Sequence, residues 1–199
     1  MKILTIGDLH GDLSQAKKLA DLAEKEKVDL VIFSGDFTMG DIHTEGLIKV
    51  FKDKNLKLGL IPGNHESPAT VDALASKYDA INLHEYATYF GELGIFGCGS
   101  ANIGIFQLPE PDIFESLKYG FEKIKDKKKK LMVTHVHPDG TLMSRFGKVP
   151  GSSGVTKAIY ELQPDIAICS HVHEAESLEE QVGKTKVINV GKEGKIIEI

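Results

Sequence analysis

Five short polar clusters stand at the ends of apolar runs, and they hold two aspartates, one asparagine and five histidines. The clusters are Gly7-Asp8-Leu9-His10, Gly35-Asp36, Gly63-Asn64-His65-Glu66, Thr134-His135 and Ser170-His171-Val172-His173. Imidazole, carboxylate and side-chain amide groups suit manganese, iron and zinc. The set is too large for one four-coordinate ion, but it suits two ions that share a bridging carboxylate. The residue types therefore predict a site for two metal ions.

The apolar runs before these clusters predict the elements that position them. These runs are residues 3–6, 30–33, 58–61, 131–133 and 166–169. Short runs rich in β-branched residues are typical of buried strands. Ligands of open α/β sheets bind beyond the carboxyl ends of the strands. We therefore expect the five clusters to meet at one edge of the sheet structure.

Each cluster taken alone also has a purely structural explanation. Asp8 or Asp12 could cap the helix predicted to follow, and Asp36 could occupy a turn after a glycine. His135 could be a hydrogen-bonded structural histidine, and His171 and His173 could lie at a polar strand end. These explanations would have to hold independently at five strand ends, so the pattern favours a functional site.

The order of the clusters resembles that of the calcineurin-like metallophosphoesterases, from residue 2 to about residue 190. The match consists of Asp8-x-His10, Gly35-Asp36, Gly63-Asn64-His65-Glu66, His135 and His171-x-His173. The resemblance implies an α/β fold, a four-layer αββα sandwich of two mixed β-sheets flanked by helices. It also implies a single metallophosphoesterase domain over residues 1–199.

The resemblance further implies a role for each residue. One ion would be bound by Asp8, His10, Asp36 and His173. The other ion would be bound by Asp36, Asn64, His135 and His171. His65 would be a general acid rather than a ligand, oriented by Glu66. The cofactors would be two divalent transition-metal ions, with manganese expected and iron, zinc or nickel as alternatives.

Two departures from the family pattern bear on the substrate. Ser170 stands where the family commonly has glycine, a small change that we expect to leave the ligands undisturbed. Phe37-Thr38-Met39 replaces the Asp-Arg-Gly continuation of the protein Ser/Thr phosphatases, which argues against that branch. We expect hydrolysis of a phosphodiester or small phosphate ester through a metal-bridging hydroxide, with His65 protonating the leaving oxygen.

Proteins with two other functions share this fold. A nuclease acting on DNA or RNA ends is one alternative, but the net charge of −5 does not favour nucleic acid as a partner. The chain also has no basic stretch interleaved with aromatic residues. A non-catalytic scaffold is the other alternative, but every ligand position is filled.

Composition indicates one globular domain without a membrane segment. The chain has 199 residues, of which 41% are hydrophobic and 27% charged. The N-terminal apolar run is too short for a signal peptide, and no stretch is long enough to cross a membrane. Cys98 and Cys169 are expected to be buried thiols of a cytoplasmic protein. The expected partner is a small phosphate-ester or nucleotide substrate.

The segment from His137 to Gly154 is expected to be a long irregular loop that leaves the site directly after His135. Loops of this length are usually functional or disordered. As a substrate loop it would bring Arg145 and Lys148 to the phosphate; as a surface excursion it would have no such role. His137 could touch substrate, pack beside the ligands or face solvent. His43 and His84 match no cluster and are expected to be surface or structural residues.

The remaining patterns alternate between helix and strand. Helices are predicted at about 13–26, 43–54, 68–78, 111–126 and 153–163. Strands are predicted in the C-terminal part at 176–182, 186–190 and 195–199.

Overall fold

Two mixed β-sheets form the centre of the computed structural model, which describes residues 1–42 and 46–199. Within these ranges, the first sheet contains β1 (Lys2–Ile6), β2 (Leu30–Phe33), β3 (Leu58–Leu60), β4 (Ile81–Asn82) and β11 (Lys195–Glu198). Its order is β11-β1-β2-β3-β4. Strands β1 to β4 are parallel to their neighbours, and β11 is antiparallel to β1.

The second sheet has its own parallel centre and two antiparallel edges. Its described strands are β5 (Ala87–Phe90), β6 (Leu93–Cys98), β7 (Lys129–Thr134), β8 (Ile166–Cys169), β9 (Glu179–Val182) and β10 (Thr185–Asn189). The order is β5-β6-β7-β8-β10-β9. Strands β6, β7, β8 and β10 run parallel, whereas β5 and β9 are antiparallel to their neighbours.

Helices cover the outer faces of both sheets. In the described ranges they are α1 (Leu13–Lys25), α2 (Lys49–Lys52), α3 (Pro68–Tyr78), α4 (Glu110–Ile124), α5 (Leu142–Gly147) and α6 (Ser153–Leu162). A single 3₁₀ turn covers His173–Ala175. Asp12 caps α1, since its Oδ1 accepts the Gln15 N–H at 2.9 Å. The cap of this helix is therefore Asp12, which leaves the Asp8 carboxylate for the site.

Successive side chains of each strand point to opposite faces of its sheet, and together they form three apolar clusters, one between the sheets and one under the helices on each side. On β2, Val31 and Phe33 pack with α1, α2 and α3, whereas Ile32 packs between the sheets. On β7, Met132 packs with α4 and α6, whereas Val133 lies between the sheets. Both faces of these strands are buried, which explains why they are continuous apolar runs in the sequence. The layers are helix, sheet, sheet and helix, and the predicted αββα fold is confirmed.

Most predicted elements are present within a few residues of the expected bounds. The helix expected at about 43–54 begins outside the described residues, and within the described part only α2 is helical. Strands β4, β5 and β6 and helix α5 were not expected from the sequence. The division into one domain stays a prediction. The described helices are all too short and polar to cross a membrane.

Candidate metal centre

The polar clusters lie just beyond the carboxyl ends of five strands. In the first sheet, β1, β2 and β3 lead to Asp8, Asp36 and Asn64. In the second sheet, β7 and β8 lead to His135 and His171. Both sheets therefore contribute side chains to one site, at the edge where ligands of parallel sheets bind.

One group of potential ligands forms around Asp8. The Nε2 atoms of His10 and His173 are 3.3 Å apart, and His173 Nε2 lies 3.9 Å from Asp8 Oδ1. The backbone N–H of His171 donates to Asp8 Oδ2 at 3.1 Å, which holds the carboxylate against the second sheet. Burial raises the pKa of Asp8 to about 6, although His135 opposes the shift.

The second group forms around His135, whose side chain is completely buried. His135 Nε2 lies 3.0 Å from Asn64 Oδ1 and 3.3 Å from His171 Nδ1. The same Nε2 is 3.4 Å from Asp36 Oδ2. Burial lowers the pKa of His171 to about 3, and the neighbouring His135 lowers it further. His171 is therefore a neutral imidazole, the form that binds metal.

Asp36 lies between the two groups. Its Oδ1 accepts the backbone N–H of His65 at 2.9 Å. Its Oδ2 lies 3.9 Å from His10 Nε2 on one side and 3.4 Å from His135 Nε2 on the other. Burial alone would raise the pKa of Asp36, but His135 outweighs burial and lowers it. One carboxylate oxygen of an ionised aspartate thus faces both groups.

The donor set fits cations. His135 Nδ1 is 2.9 Å from the Ser34 carbonyl, which can only accept, so this nitrogen carries the proton of the neutral ring. In the protonated ring Nε2 donates toward the Asn64 and Asp36 oxygens, and once that proton is lost Nε2 presents a lone pair to them. The Nε2 atoms of His10 and His173 also face each other at 3.3 Å, where one ring can donate to the other only if its Nε2 carries the proton. Electron-rich atoms at these distances repel one another, and a positive ion among them would remove the repulsion.

Two groups of three potential metal-binding side chains can be distinguished in the structure. Asp8, His10 and His173 bring three ligand atoms within 4.8 Å of one another, and so do Asp36, His135 and His171. His10, Asp36 and His65 form a third set that overlaps the first two.

Comparison with known proteins identifies the family. The sequence profile of the calcineurin-like phosphoesterases matches residues 1–175. The chain belongs to the calcineurin-like phosphoesterase family. No significant match to a curated protein was found.

Solved structures share the fold of this phosphoesterase. The protein TT1561 of Thermus thermophilus has a TM-score of 0.80 at 18% identity, covering 96% of this chain and 90% of that chain. A dimetal phosphatase from Danio rerio has a TM-score of 0.67 at 12% identity, covering 96% and 88%. An archaeal phosphodiesterase has a TM-score of 0.56 at 20% identity, covering 96% and 84%. At these identities the likeness concerns the fold alone.

The backbone of this phosphoesterase is strained at four of its candidate ligands. Asp8, His10, Asp36 and His171 have φ values of 52°, 45°, 51° and 73°. Few residues other than glycine adopt this left-handed region. Such conformations cost about 1–3 kcal/mol each and cluster at functional sites. Nine other non-glycine residues among those described also have positive φ, so these values describe how the ligands are held and do not by themselves locate the site.

Glu66 does not have the predicted role of orienting His65. Its Oε1 accepts from the N–H and the hydroxyl of Thr38, each at 2.7 Å. Its Oε2 accepts from the N–H groups of Asp36 and Gly63, each at 2.8 Å. Because four donors occupy both oxygens, no hydrogen bond to His65 forms within the described residues, and His65 Nδ1 is buried without a partner. Glu66 instead ties the Asp36 turn to the Asn64 turn.

His65 points into the site without a carboxylate partner of its own. Its Nε2 lies 3.9 Å from Asp36 Oδ2, and its side chain is 27% exposed. The ring packs edge-to-face against His10, with centroids 5.2 Å apart. His65 is therefore the candidate acid–base group with access to solvent beside both ligand groups.

Gly63 is required for the close approach of these two turns. A Cβ at this position would lie 2.0 Å from Asp36 Oδ1 and 2.4 Å from the Asp36 nitrogen. Any side chain there would push Asp36 out of its place between the ligand groups. The Gly-Asn-His-Glu cluster thus begins with glycine because Asp36 occupies the space.

Ser170 has contacts that its sequence position did not reveal. Its hydroxyl lies 3.0 Å from His135 Nδ1 and donates to the Ser34 carbonyl at 2.9 Å. The Ser34 hydroxyl lies 3.1 Å from the Ser170 oxygen. Partners on the second nitrogen of a ligating histidine set its tautomer and orientation. Ser170 therefore helps to fix the His135 ring, a contact that glycine cannot make.

The segment expected to be one irregular loop is ordered and closed at its base. It contains α5, and the Ser152 N–H donates to the His137 carbonyl at 2.8 Å. The Asp139 N–H donates to the Ser152 carbonyl at 3.1 Å. Residues 138–152 thus form a compact excursion with adjoining ends, as in Ω-loops. The prediction of irregular structure was wrong because short helices have weak periodicity.

Arg145 and Lys148 both belong to this excursion. Helix α5 packs against the 3₁₀ turn His173–Ala175, which begins with a candidate ligand. Arg145 and Lys148 are both exposed, Arg145 within α5 and Lys148 at its C-cap. Their predicted role in substrate binding stays a prediction.

The other histidines have different surroundings. His137 is completely buried and stacks on His171, with centroids 6.3 Å apart and an interplanar angle of 23°. Burial lowers its pKa to about 4. The solvent-facing alternative is therefore wrong, and His137 packs beside a ligand. His84 Nδ1 accepts the Gly99 N–H at 3.0 Å in a structural role, and His43 lies outside the described residues.

A cavity of about 400 Å³ opens beside the first ligand group. It is lined by Asp8, Leu9, His10, Asp12, His173, Glu176, Gly191 and Lys192. Lys192 is an exposed cation at this cavity that the sequence interpretation missed, because a lysine in a turn after a strand is too common to be noticed. The cavity is large enough for a small organic phosphate.

Proposed function

We propose that this protein hydrolyses a phosphodiester or another small phosphate ester with two divalent transition-metal ions. The observation that carries the proposal is Asp36 Oδ2, which faces a nitrogen of each ligand group at 3.9 and 3.4 Å. A carboxylate in this place is suited to bridging two ions. Oxygen and imidazole ligands suit manganese, which we expect, as well as iron, zinc and nickel.

The proposed ligand sets follow the two groups. The first ion would be held by Asp8, His10, Asp36 and His173. The second ion would be held by Asp36, Asn64, His135 and His171. When bound, the ions would supply positive charge against the phosphate oxygens and activate water near neutral pH. The side chains keep these positions through contacts outside the site, such as that of His135 with Ser34.

His65 is the proposed general acid. It is half-buried beside Asp36 and has one ring nitrogen directed toward both ligand groups. From this place it can hold a proton near the leaving oxygen and deliver it as the ester bond breaks. General acids of this kind contribute roughly 10²–10⁴-fold to the rate.

The proposed substrate is small and carries little charge beyond one phosphate. Arg145 is the sole arginine in the sequence, and no arginine follows Asp36 to clamp a monoester dianion. The fold neighbours include proteins described as a phosphodiesterase and a dimetal phosphatase, which is compatible with either ester class. We favour a diester because its single negative charge needs less cationic help. A cytoplasmic location is proposed because both cysteines are free and buried.

The function is tested by metal content and by a panel of esters. Purified protein loaded with manganese should contain two ions per chain and hydrolyse phosphodiesters faster than phosphoserine peptides. Asp36→Asn should lose both ions, whereas Asp53→Asn, on the exposed surface near α2, should retain them. At most one ion per chain in metal-replete wild type would contradict the dinuclear site, and a preference for phosphopeptides would contradict the substrate class.

His65 is tested through the leaving group. His65→Gln should keep both metals and lose about 10²–10⁴-fold in kcat on esters of alkyl alcohols. With nitrophenolate as the leaving group, which needs little protonation, the loss should be much smaller. Equal losses on both kinds of ester, or loss of metal, would remove the general-acid role.

A further inference from the structure

Four exposed aliphatic side chains border the segment that carries Asn64 and His65. This apolar rim consists of Met39, Ile42, Ile103 and Ile105, which are 42%, 56%, 38% and 64% exposed. The rim residues come from two loops that are distant in sequence.

Both loops are fixed to the site by their backbones. The Asp41 N–H donates to the His65 carbonyl at 3.1 Å, and the Phe106 N–H donates to the Asn64 carbonyl at 3.1 Å. A Cβ at Gly104 would lie 2.5 Å from Asn64 Nδ2, so the second loop lies directly against that side chain. The loops therefore hold their apolar residues at the border of the metal centre.

Within each loop, the backbone fixes the positions of the two apolar side chains relative to each other. Met39 and Ile42 exchange backbone hydrogen bonds at 3.3 Å in an isolated antiparallel bridge, which places their side chains on the same face. Ile103 and Ile105 flank the glycine that contacts Asn64.

The concentration of these side chains distinguishes them from ordinary surface residues. Ten large hydrophobic side chains are exposed among residues 1–42 and 46–199, and four of them, all aliphatic, lie on the two loops that bond to Asn64 and His65; the other six are five aromatic residues and Leu142. Single exposed apolar residues need no explanation, but contiguous ones mark binding surfaces. The position beside His65 indicates a ligand that reaches the metal centre.

We propose that the apolar rim binds the leaving group of the phosphate ester, and that this group is an apolar alcohol or phenol. The inference rests on the proposed function, in which His65 delivers its proton to the leaving oxygen. The part of the substrate nearest His65 is then the leaving group, and the loops that carry Ile42 and Ile105 are the two that bond to the backbone of His65 and Asn64. Aliphatic side chains favour alkyl or aryl groups there, because a sugar would lose hydration without gaining hydrogen bonds.

The test is a series of methyl 4-alkylphenyl phosphates, from 4-methyl to 4-pentyl. The phenols have nearly equal acidity, so the series changes apolar size alone. Full burial of a methylene corresponds to about a fourfold gain, so kcat/KM of the manganese-loaded enzyme should rise about two- to fourfold per added methylene. The Ile42→Ser/Ile105→Ser double variant should lose most of this dependence, and Leu142→Ser should keep it.

The results that would contradict this inference differ from those that would contradict the proposed function. A flat series in a wild type that hydrolyses all members would overturn the apolar leaving group and leave the phosphoesterase function standing. Hydrolysis of no ester at all would overturn the proposed function and this inference with it. If the double variant keeps the dependence but turns an oligomer into a monomer in sedimentation, the apolar rim is a contact between copies and the inference is wrong.

Discussion

Glu66 is buried and accepts four hydrogen bonds, which makes it the residue that holds the two most important turns together. Its donors are the backbone of Asp36 and Gly63 and two groups of Thr38. Burial and the nearby Asp36 charge raise its pKa, although the donors oppose this shift. A buried carboxylate that is fully bonded fixes its surroundings, and here it fixes the backbone at Asp36, Thr38 and Gly63.

The first prediction concerns Glu66→Gln. The glutamine side chain has an NH₂ group in place of one of the two carboxylate oxygens. That group cannot accept a hydrogen bond, so at least one N–H or O–H group that donates to Glu66 would face another donor. We expect a loss of about 1.5–3 kcal/mol in the free energy of unfolding. We also expect metal affinity to fall roughly 10–100-fold, as for other residues that orient ligands. Urea denaturation and metal titration measure the two effects.

The control for this variant is Glu122→Gln on the exposed side of α4, where the side chain pairs with Lys125. It should change stability by less than about 0.5 kcal/mol. Wild-type metal affinity in Glu66→Gln would show that Glu66 does not position the ligands. The contrast with His65→Gln, which should keep its metals, separates positioning from proton transfer.

At the scale of elements, the excursion of residues 138–152 is a compact segment that packs beside the candidate metal centre through α5. Its base is closed by hydrogen bonds between His137, Asp139 and Ser152. Helix α5 lies against the 3₁₀ turn that starts at His173. Arg145 is an exposed residue of this helix, and a guanidinium pairs with phosphate oxygens bidentately.

The second prediction is that Arg145→Ala raises KM several-fold without changing metal content. Arg145→Lys should restore the affinity only in part, because an ammonium does not form the paired hydrogen bonds of a guanidinium. Lys128→Ala, an exposed cation before β7, is the matched control and should leave KM unchanged. An unchanged KM in Arg145→Ala would mean that α5 is only a surface helix.

The sequence predicted those elements whose pattern is local. Helix α3 has its Ser67 cap and first-turn Pro68, and each ligand-bearing strand is an apolar run before a polar cluster. Strands β5 and β6 were missed because β5 is partly exposed and glycines interrupt β6.

The partners of Glu66 were missed for a different reason. They depend on how two turns approach in space, and such contacts have no signature in linear spacing.

At the scale of the molecule, the site closes the gap between two sheets. The first sheet supplies Asp8, Asp36 and Asn64, and the second supplies His135 and His171. Without a cation these groups repel one another unless a proton remains among them. The proton belongs on His135, since burial lowers its pKa but Asp36 raises it more, to about 9. Metal binding must displace this proton, so metal affinity and folding are both linked to pH.

The third prediction concerns this linkage in protein stripped of metal. His135 has a folded pKa of about 9 against an ordinary value of 6.5, so it stabilises the fold fully below pH 6.5. That contribution is lost as pH rises to 9, and the free energy of unfolding should fall by an amount on the order of 3 kcal/mol. Urea denaturation in chelator measures it, and His135→Gln should show no such fall.

Metal and the proton compete for His135, so the proton released on metal binding is a second, independent measurement of the same linkage. At pH 7 the His135 proton is still bound in the metal-free protein, so manganese binding should release about one proton per chain from this residue. Calorimetric titrations in buffers of different ionisation enthalpy count that proton, and the count should fall to about one half at pH 9 and toward zero above it. Stability that is flat from pH 6.5 to 9, together with no proton release at pH 7, would show that the Asp36–His135 pair does not hold the proton. The repulsion among the ligands would then have to be relieved elsewhere, and Asp8, whose pKa burial raises to about 6, is the remaining acid in the first group.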